Sequence, residues 1–366
     1  MKIGILTFHY VYNYGAVLQG FALQTYLSNK GHDVKFINYE NSAVRDSYRL
    51  FKFNEYSKKR PTKFIKTLFR DILTRRKYFD FRKAVNKLLC ISNFVCSKNH
   101  FDFSNYDCII IGSDQVWNEK ITGGYDYFYK GDFVRTNKVR LLGYSISINN
   151  IIDNQEFRKS IISTINNFDC LSIREQDSAK LLSNICSRDI KCCLDPVFLL
   201  SKYDWVKYLT NTKHNNDYIL VYAILNREKV ISLSKKISEK YGMRLIILDP
   251  IASYETKYRK DYFSNPMDFV SLFYNAELII TSSFHGTAFS LIFEKEFYIV
   301  GDDVSNVRMR SLLKELNIMN RIINKIDDID IYKKIDYKNI NKIISEKLKS
   351  SKDFINNSFY ESIVYN

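Results

Sequence analysis

The stretch from Leu278 to Ile292 constrains the fold of this chain most. An apolar run at Leu278–Ile280 gives way to small polar residues, and a helical apolar pattern begins at Ala288. This pattern predicts a buried strand, a tight turn and the start of a helix, with His285 in the turn. In open α/β sheets, ligands bind at the carboxyl ends of strands, and helix N-termini there favour anions. We therefore predict that His285 is a titratable group where a phosphorylated ligand would sit.

Alternating strands and helices fill most of the chain. A strand at Lys2–Thr7, a helix at Gly15–Asn29 and a strand at Val34–Asn38 form the unit that opens many doubly wound folds. A second series of strands and helices begins at Tyr218, and the tail from about Tyr337 to Val364 is predicted to form two helices. The 366 residues suffice for two ordinary domains. We predict an α/β protein with two Rossmann-like domains, residues 1–195 and 196–366, that face a cleft.

Residues 41–100 interrupt the alternation with a basic, amphipathic and mostly helical pattern, which we interpret as an insertion in the first domain. The chain has a net charge of +15, from 55 Lys and Arg against 40 Asp and Glu, and much of the excess lies in residues 45–83. One interpretation is a solvated helical surface. The other is contact with an anionic membrane, to which each basic residue near the surface contributes roughly 1 kcal/mol.

The sequence favours a cytoplasmic location. No segment reaches the roughly 18 apolar residues that span a bilayer, and the apolar run at the N-terminus is too short for a signal peptide. The seven cysteines are scattered and lack the paired spacing of a zinc site. We therefore expect a reducing, cytoplasmic environment, with the inner face of the membrane as one possible position, and neither a metal nor a bound cofactor.

Three groups of polar residues follow predicted strands. The loop after the first strand contains His9, Asn13, Tyr14 and Gln19, an aromatic and amide mixture that suits sugar recognition. Asp114, Gln115 and Asn118 follow the apolar run Cys108–Ile111, and Arg174 follows the short strand Cys170–Ile173. The planar guanidinium of Arg174 suits a carboxylate or phosphate.

Each group also has a structural interpretation. Asn13 could cap the following helix. Asp114 could bond its own backbone in an Asx-turn. Arg174 could form a salt bridge with Glu175 or Asp177. Arg308 could meet an anion near a helix start or pair with Asp302 and Asp303.

Several common classes of enzyme are excluded by missing motifs. The chain contains no P-loop, no H-E-x-x-H, no G-x-S-x-G and no G-x-G-x-x-G. It also contains no recognised nucleic-acid-binding motif, so we expect no nucleic-acid partner.

Five short segments together resemble the polysaccharide pyruvyl transferase family. They occur in the family's order over about residues 1–320 and read Asn13-Tyr14-Gly15-Ala16-Val17-Leu18-Gln19, Ile110-Ile111-Gly112-Ser113-Asp114-Gln115-Val116-Trp117-Asn118, Ser172-Ile173-Arg174-Glu175, Leu194-Asp195-Pro196-Val197 and Ser282-Ser283-Phe284-His285-Gly286. The resemblance implies a GT-B-like fold, with the acceptor on the N-terminal domain and the donor on the C-terminal domain. It also implies transfer of the enolpyruvyl carbons of phosphoenolpyruvate to a sugar, as a cyclic ketal, with release of phosphate.

The resemblance further implies roles for individual residues. His285 would be the acid/base residue, since the reference pKa of a histidine side chain, about 6.5, suits proton transfer near neutrality. Some branches of the family carry an arginine two residues before the histidine, where this chain has Ser283, and Arg308 or Arg310 could replace it. The expected donor-binding residues are Arg174, Ser283, Phe284, Gly286, Thr287 and Arg308. The expected acceptor-binding residues are His9, Asn13, Tyr14, Gln19, Asp114, Gln115 and Asn118.

Phosphoenolpyruvate would be a co-substrate, and the acceptor would be a sugar of a bacterial surface polysaccharide or its lipid-linked precursor. Two alternatives remain open. A glycosyltransferase that uses a nucleotide-sugar would share the fold, because a fold does not fix a function. A non-catalytic module that binds glycans or lipid surfaces would use the basic insertion as its contact.

Overall fold

A computed structural model describes residues 1–47, 78–96, 103–133, 139–148, 155–210, 217–248, 260–261, 265–301 and 307–360. Two parallel sheets dominate this part of the chain. The first sheet has seven strands in the order β3-β2-β1-β4-β5-β6-β7. They are β1 (Lys2–Leu6), β2 (Asp33–Asn38), β3 (Ile91–Val95), β4 (Cys108–Ile111), β5 (Arg140–Ile146), β6 (Cys170–Ile173) and β7 (Lys191–Cys192).

The second sheet has six strands in the order β10-β9-β8-β11-β12-β13. They are β8 (Tyr218–Tyr222), β9 (Arg244–Leu248), β10 (Lys260–Asp261), β11 (Leu278–Thr281), β12 (Glu296–Val300) and β13 (Ile322–Ile323). Every paired strand in both sheets is parallel to its neighbour. Strand order reverses between β1 and β4 in the first sheet and between β8 and β11 in the second, so each sheet has a crevice suited to a ligand.

Helices connect most of these strands. They are α1 (Tyr14–Asn29), α2 (Ser42–Ser47), α3 (helical residues 78–88), α4 (Glu119–Thr122), α5 (Gln155–Ile165), α6 (Gln176–Cys186), α7 (Lys202–Val206), α8 (Arg227–Tyr241), α9 (Pro266–Asn275), α10 (Phe284–Ile292), α11 (Val307–Glu315) and α12 (Tyr337–Ser358). Strand β11 runs into α10 through a two-residue turn, which is the strand, turn and helix that the sequence predicts.

Helix α1 lies in the core shared by the two halves. Thirteen of its 16 residues are buried, because one face covers the first sheet and another meets the second half. The ring of Tyr14 stacks on that of Phe269 with centroids 5.2 Å apart, and Phe21 meets Trp205 at 5.8 Å. The contact between the halves is therefore built mainly from apolar and aromatic side chains of α1.

The C-terminal tail, which the sequence predicts as two helices, is a single helix in the described residues, α12, because its helical pattern continues without a break from Tyr337 to Ser358. It contacts the first half. The backbone N–H of Leu194 donates to Ser351 Oγ at 2.9 Å, and Arg140 donates to the carbonyl of Ser358 at 2.8 Å. The predicted boundary at residues 195/196 falls between β7, the last strand of the first sheet along the chain, and β8, the first strand of the second sheet. Helix α12 also contacts its own half, where Lys347 Nζ lies 2.6 Å from Glu315 Oε2, so it packs against both halves.

The predicted helical insertion at 41–100 requires one correction. Residues Ser42–Ser47 and 78–88 are helical, but Ile91–Val95 is an edge strand that pairs with β2 through Phe36 and Ile91. A five-residue strand at a sheet edge needs little apolar sequence. The helical pattern that precedes β3 therefore dominated the prediction for this segment. Most of the basic segment 45–83, residues 48–77, lies outside the described part of the chain. Within the described residues, no helix is long and apolar enough to cross a bilayer.

Candidate active site

A cavity of about 240 Å³ lies between the two halves. Its walls come from the loop after β1, the loop after β4, the turn after β11 and the start of α11, so both crevices contribute to it. The lining residues are Phe8, Val11, Asn13, Ala16, Val44, Asp114, Gln115, Ile121, Ile224, Leu225, Ser282, Ser283, Phe284, His285, Arg308 and Met309. We call this cavity the cleft.

The turn between β11 and α10 fixes His285 on the wall of the cleft. Ser283 is the N-cap of α10, and its Oγ accepts from the backbone N–H of Gly286 at 3.4 Å. The N–H of Ser283 donates to Thr281 Oγ1 at 3.0 Å, and the hydroxyl of Thr287 donates to the carbonyl of Ser283 at 3.1 Å. A Cβ on Gly286 would collide with Thr281, so glycine lets the helix approach the strand closely.

Asp195 lies between His285 and Arg174. Its Oδ2 is 2.7 Å from Arg174 Nη2 and 3.5 Å from His285 Nε2, and its Oδ1 accepts from the N–H of Val197 at 3.0 Å. Burial alone would raise the pKa of this carboxyl, but the guanidinium of Arg174 and the imidazole of His285 more than offset burial and lower the pKa to about 2. Asp195 is therefore an ionised group close to both side chains.

Arg174 is almost fully buried and reaches the site from β6. Its Nη2 donates to Ser113 Oγ, and its guanidinium lies 4.8 Å from the ring centroid of Phe284. Its Nε and Nη1 have no hydrogen-bond partner in the described part of the chain. Among the interpretations from sequence, a salt bridge forms, but with Asp195 rather than with Glu175 or Asp177.

Arg174 does not line the cleft itself. It lines a smaller cavity of about 30 Å³, which shares Phe284 and Arg308 with the cleft. Two unpartnered nitrogen atoms of a buried guanidinium therefore belong to a cavity that shares two wall residues with the cleft.

Arg308 brings a positive charge into the cleft from α11. Its Nη1 lies 3.7 Å from Asp114 Oδ1, a residue of the first half. The amide oxygen of Gln115 lies 3.1 Å from Arg308 Nη2 when that amide is turned toward the guanidinium. Residues 302–306, which include the alternative partners Asp302 and Asp303, lie outside the described residues.

Three of the expected acceptor residues line the cleft: Asn13, Asp114 and Gln115. Asn13 also caps α1, since its Oδ1 accepts from Ala16 N at 3.3 Å. Asp114 has a φ of 77° and accepts from the N–H of Gln115 at 2.9 Å. The capping interpretation of Asn13 therefore holds together with its position in the cleft. The Asx-turn expected for Asp114 is not formed, because its side chain bonds the backbone of the next residue rather than of the second residue on.

The remaining expected acceptor residues lie elsewhere. Tyr14 is 1% exposed and packs in the shared core. Gln19 is fully buried and bonds Thr7, Ala16 and the N–H of Ser113. Asn118 caps α4, and His9 lines a different cavity. Like the residues that do line the cleft, these polar residues lie just after predicted strands. The sequence alone does not tell which way each side chain points.

Two expected donor residues, Gly286 and Thr287, are buried in the first turn of α10 behind the lining residues Ser283, Phe284 and His285. Asp195 is the residue that sequence reasoning missed, since an Asp-Pro pair after a strand is typical of a turn. The assembled site can transfer a proton through His285 and can attract an anion through Arg308 and Arg174.

Comparison with known proteins gives both a family and a fold. A sequence profile described as polysaccharide pyruvyl transferase matches residues 13–304. No curated protein sequence matches the chain.

Among solved structures, the chain is similar to the UDP-GlcNAc 2-epimerase from Methanocaldococcus jannaschii, with 12% identity, a TM-score of 0.51 and coverage of 99% of this chain and 100% of that one. It is also similar to a mutant of TarM from S. aureus in complex with fondaparinux, alpha-GlcNAc-glycerol and UDP, with 9% identity, a TM-score of 0.50 and coverage of 98% and 100%. Likeness at such identity concerns the fold, which is α/β with two Rossmann-like domains of the GT-B-like type.

Proposed function

Because the chain belongs to the polysaccharide pyruvyl transferase family and is therefore a transferase, we propose that it moves a pyruvyl group from phosphoenolpyruvate to a sugar. Two hydroxyls of the sugar would form a cyclic ketal, and phosphate would leave. The observation that carries the proposal is that His285, held by Asp195, and the guanidinium of Arg308 line the same cleft.

The charges at the cleft suit this donor. Phosphoenolpyruvate carries a carboxylate and a phosphate, which favour guanidinium partners. Arg308 lines the cleft, and the unpartnered N–H groups of Arg174 lie behind Phe284. Ser283 also lines the cleft and offers a hydroxyl at the position where some relatives carry an arginine. In this chain, Arg308 takes the place of that missing cation.

The chemistry needs one residue that both gives and takes a proton. In the first step, a sugar hydroxyl adds to the enol carbon, its proton is lost, and the methylene carbon gains a proton to become a methyl group. In the second step, another hydroxyl of the same sugar displaces phosphate at that carbon and closes the ketal, and its proton leaves with the phosphate. His285 would donate the proton to the methylene carbon and accept the hydroxyl proton. Asp195 would stabilise the imidazolium and fix its orientation.

The acceptor would lie against the first half. Asn13, Asp114 and Gln115 present amide and carboxylate groups to the cleft, and such groups bond sugar hydroxyls. The acceptor would be a sugar of a surface polysaccharide or its lipid-linked precursor.

The donor can be tested without knowledge of the acceptor. Thermal-shift titrations would compare phosphoenolpyruvate with UDP-GlcNAc, and we expect the former to stabilise the protein. Binding of UDP-GlcNAc alone would favour a nucleotide-sugar glycosyltransferase.

The catalytic role of His285 needs a separate assay. In it, His285→Ala should slow acceptor-dependent phosphate release by about 100- to 10,000-fold. Release near the wild-type rate would remove the catalytic role of His285.

A cytoplasmic position at the inner face of the membrane is a further part of the proposal, and the basic composition of residues 45–83 supports it. Cosedimentation with vesicles of anionic and of neutral lipids would test it. We expect charge reversal at Arg75, Arg76 and Lys77 to weaken binding to anionic vesicles, since attraction to such surfaces depends on basic residues. Unchanged binding would remove the membrane role.

A further inference from the structure

A second, polar cavity of about 350 Å³ lies in the first half, beside the carboxyl ends of β1 and β2. Its volume falls within the range of small-molecule sites, roughly 300–1,000 Å³. The lining residues are His9, Tyr10, Asn38, Phe81, Arg82, Val85, Asn86, Leu89, Ile91, Ser92 and Asn93. We call it the side cavity, and none of its residues has a part in the transfer described above.

The side cavity carries little net charge. Among the described residues that line it, Arg82 is the one with a formal charge, and its Nη2 lies 2.8 Å from Glu40 Oε1. An ion pair of this kind leaves no free cation to attract a phosphate or a carboxylate. The cavity therefore favours an uncharged ligand.

His9 contributes a hydrogen-bond acceptor. The imidazole is 2% exposed, and burial lowers its pKa to about 4, so the ring is neutral at physiological pH. Its Nδ1 lies 3.1 Å from the carbonyl of Thr7 and can bond this oxygen only as a donor. A neutral ring that carries its proton on Nδ1 has a free lone pair on Nε2, which can accept from a hydroxyl.

Three amide groups add both donors and acceptors. The side chains of Asn38, Asn86 and Asn93 line the side cavity, and Asn86 and Asn93 are exposed to solvent. Amide groups next to a neutral imidazole match the donor and acceptor groups of a polyol.

The loop after β1 relates the side cavity to the cleft. Phe8, Val11 and Asn13 line the cleft, whereas His9 and Tyr10 line the side cavity. One loop therefore forms a wall of both sites, and a ligand in the side cavity would lie close to the acceptor in the cleft.

We propose that the side cavity binds an uncharged sugar unit of the acceptor, separate from the unit that receives the pyruvyl group. The acceptor is then an oligosaccharide or polysaccharide rather than a single sugar. The identification of this ligand as part of the acceptor rests on the proposed function.

Sugar binding can be measured by saturation-transfer NMR. The probes are methyl β-galactoside, methyl α-mannoside, N-acetylglucosamine and N-acetylmannosamine, with glucuronate as an anionic comparison. Asn86→Ala and Asn93→Ala change exposed side chains of the side cavity, and Lys87→Ala is a control at an exposed neighbour outside it. We expect a neutral sugar to bind more tightly than glucuronate, with a loss of about 3- to 10-fold in each asparagine variant, as for one hydrogen bond, and none in the control.

The outcomes separate this inference from the proposed function. If no neutral sugar binds, or if both asparagine variants bind as the wild type does, the side cavity is not a sugar site, whatever phosphoenolpyruvate does. If sugars bind as expected but phosphoenolpyruvate does not bind the wild type, the proposed donor is wrong and the sugar site remains. A wild type that binds both ligands, with only sugar binding lost in the variants, supports both.

Discussion

The imidazole of His285 lies directly against the Cα of Gly15. A Cβ built on Gly15 would overlap both Nδ1 and Cγ of the ring, so only glycine leaves room for it. Gly15 is in the first turn of α1 in the first half, whereas His285 is in the first turn of α10 in the second. The position of the proposed catalytic group therefore depends on the fit between the two halves.

Replacement of Gly15 by alanine should displace the imidazole from Asp195. A displacement of about 1 Å can lower a rate by about 100-fold, and overpacking destabilises a fold by about 1–3 kcal/mol. We expect a loss of that size in phosphate release and a modest fall in melting temperature. Gly20→Ala is the control, because its Cβ would come 3.0 Å from the Phe36 ring, away from the site. Equal activity in the two variants would contradict the account.

Asp195→Asn removes the charge that holds Arg174 and His285. Loss of one partner from a buried ion pair leaves the other charge uncompensated and destabilises by about 3–5 kcal/mol. We expect a fall of that order in the free energy of unfolding, and kcat should fall more than KM for phosphoenolpyruvate rises. Asp204→Asn, at a helix cap on α7, is a control that should lose stability alone. A wild-type kcat in Asp195→Asn would mean that the carboxylate does not orient His285.

The stability of the protein should depend on pH through Asp195. Its pKa is about 2 in the folded chain, below the ordinary value of 3.8. The ionised form therefore stabilises the fold fully above about pH 4, and this contribution decreases as the pH falls toward 2. Linkage gives a total of about 2 kcal/mol.

Urea unfolding of the wild type and of Asp195→Asn between pH 6 and pH 3 would isolate this term. The difference in unfolding free energy between the two proteins should shrink by about 1 kcal/mol at pH 3. A difference that stays constant would show that Asp195 is not ionised with a lowered pKa.

Arg308→Gln tests the donor site. Hydrogen bonds to charged groups contribute about 1.5–3 kcal/mol, so we expect phosphoenolpyruvate to bind about 10- to 100-fold more weakly. Titration calorimetry with phosphoenolpyruvate alone would measure the change. Arg310→Gln is the matched control on the same helix, since Arg310 does not line the cleft. A larger effect at Arg310 than at Arg308 would reassign the donor-binding cation.

The sequence was sufficient to locate His285 and its turn. An apolar run, small polar residues and a helical pattern are local signals, and β11 and α10 follow from them. Alternation of strands with helices was likewise enough for the two-domain fold. The edge strand β3 was not predicted from the sequence. It pairs with only one neighbour, β2, and an edge strand of this kind needs little apolar sequence.

The partners of His285 could not be predicted in the same way. Asp195 contacts Arg174, 21 positions before it, and His285, 90 positions after it. No local sequence pattern predicts contacts across such separations. Gln19 and Asn13 are both amides near the start of α1. Gln19 forms hydrogen bonds in the interior, whereas Asn13 lines the cleft. The direction of a side chain is set by packing that forms only in the folded chain.

The central claim is that phosphoenolpyruvate binds in the cleft beside His285, and a crystal structure of the protein with phosphoenolpyruvate tests it most directly. We expect the phosphate or the carboxylate at about 2.7–2.9 Å from Arg308, the distance of a charge-assisted hydrogen bond, and the methylene carbon next to the imidazole of His285. Phosphoenolpyruvate bound away from the cleft, or a cleft that takes UDP-GlcNAc and excludes phosphoenolpyruvate, would contradict the account.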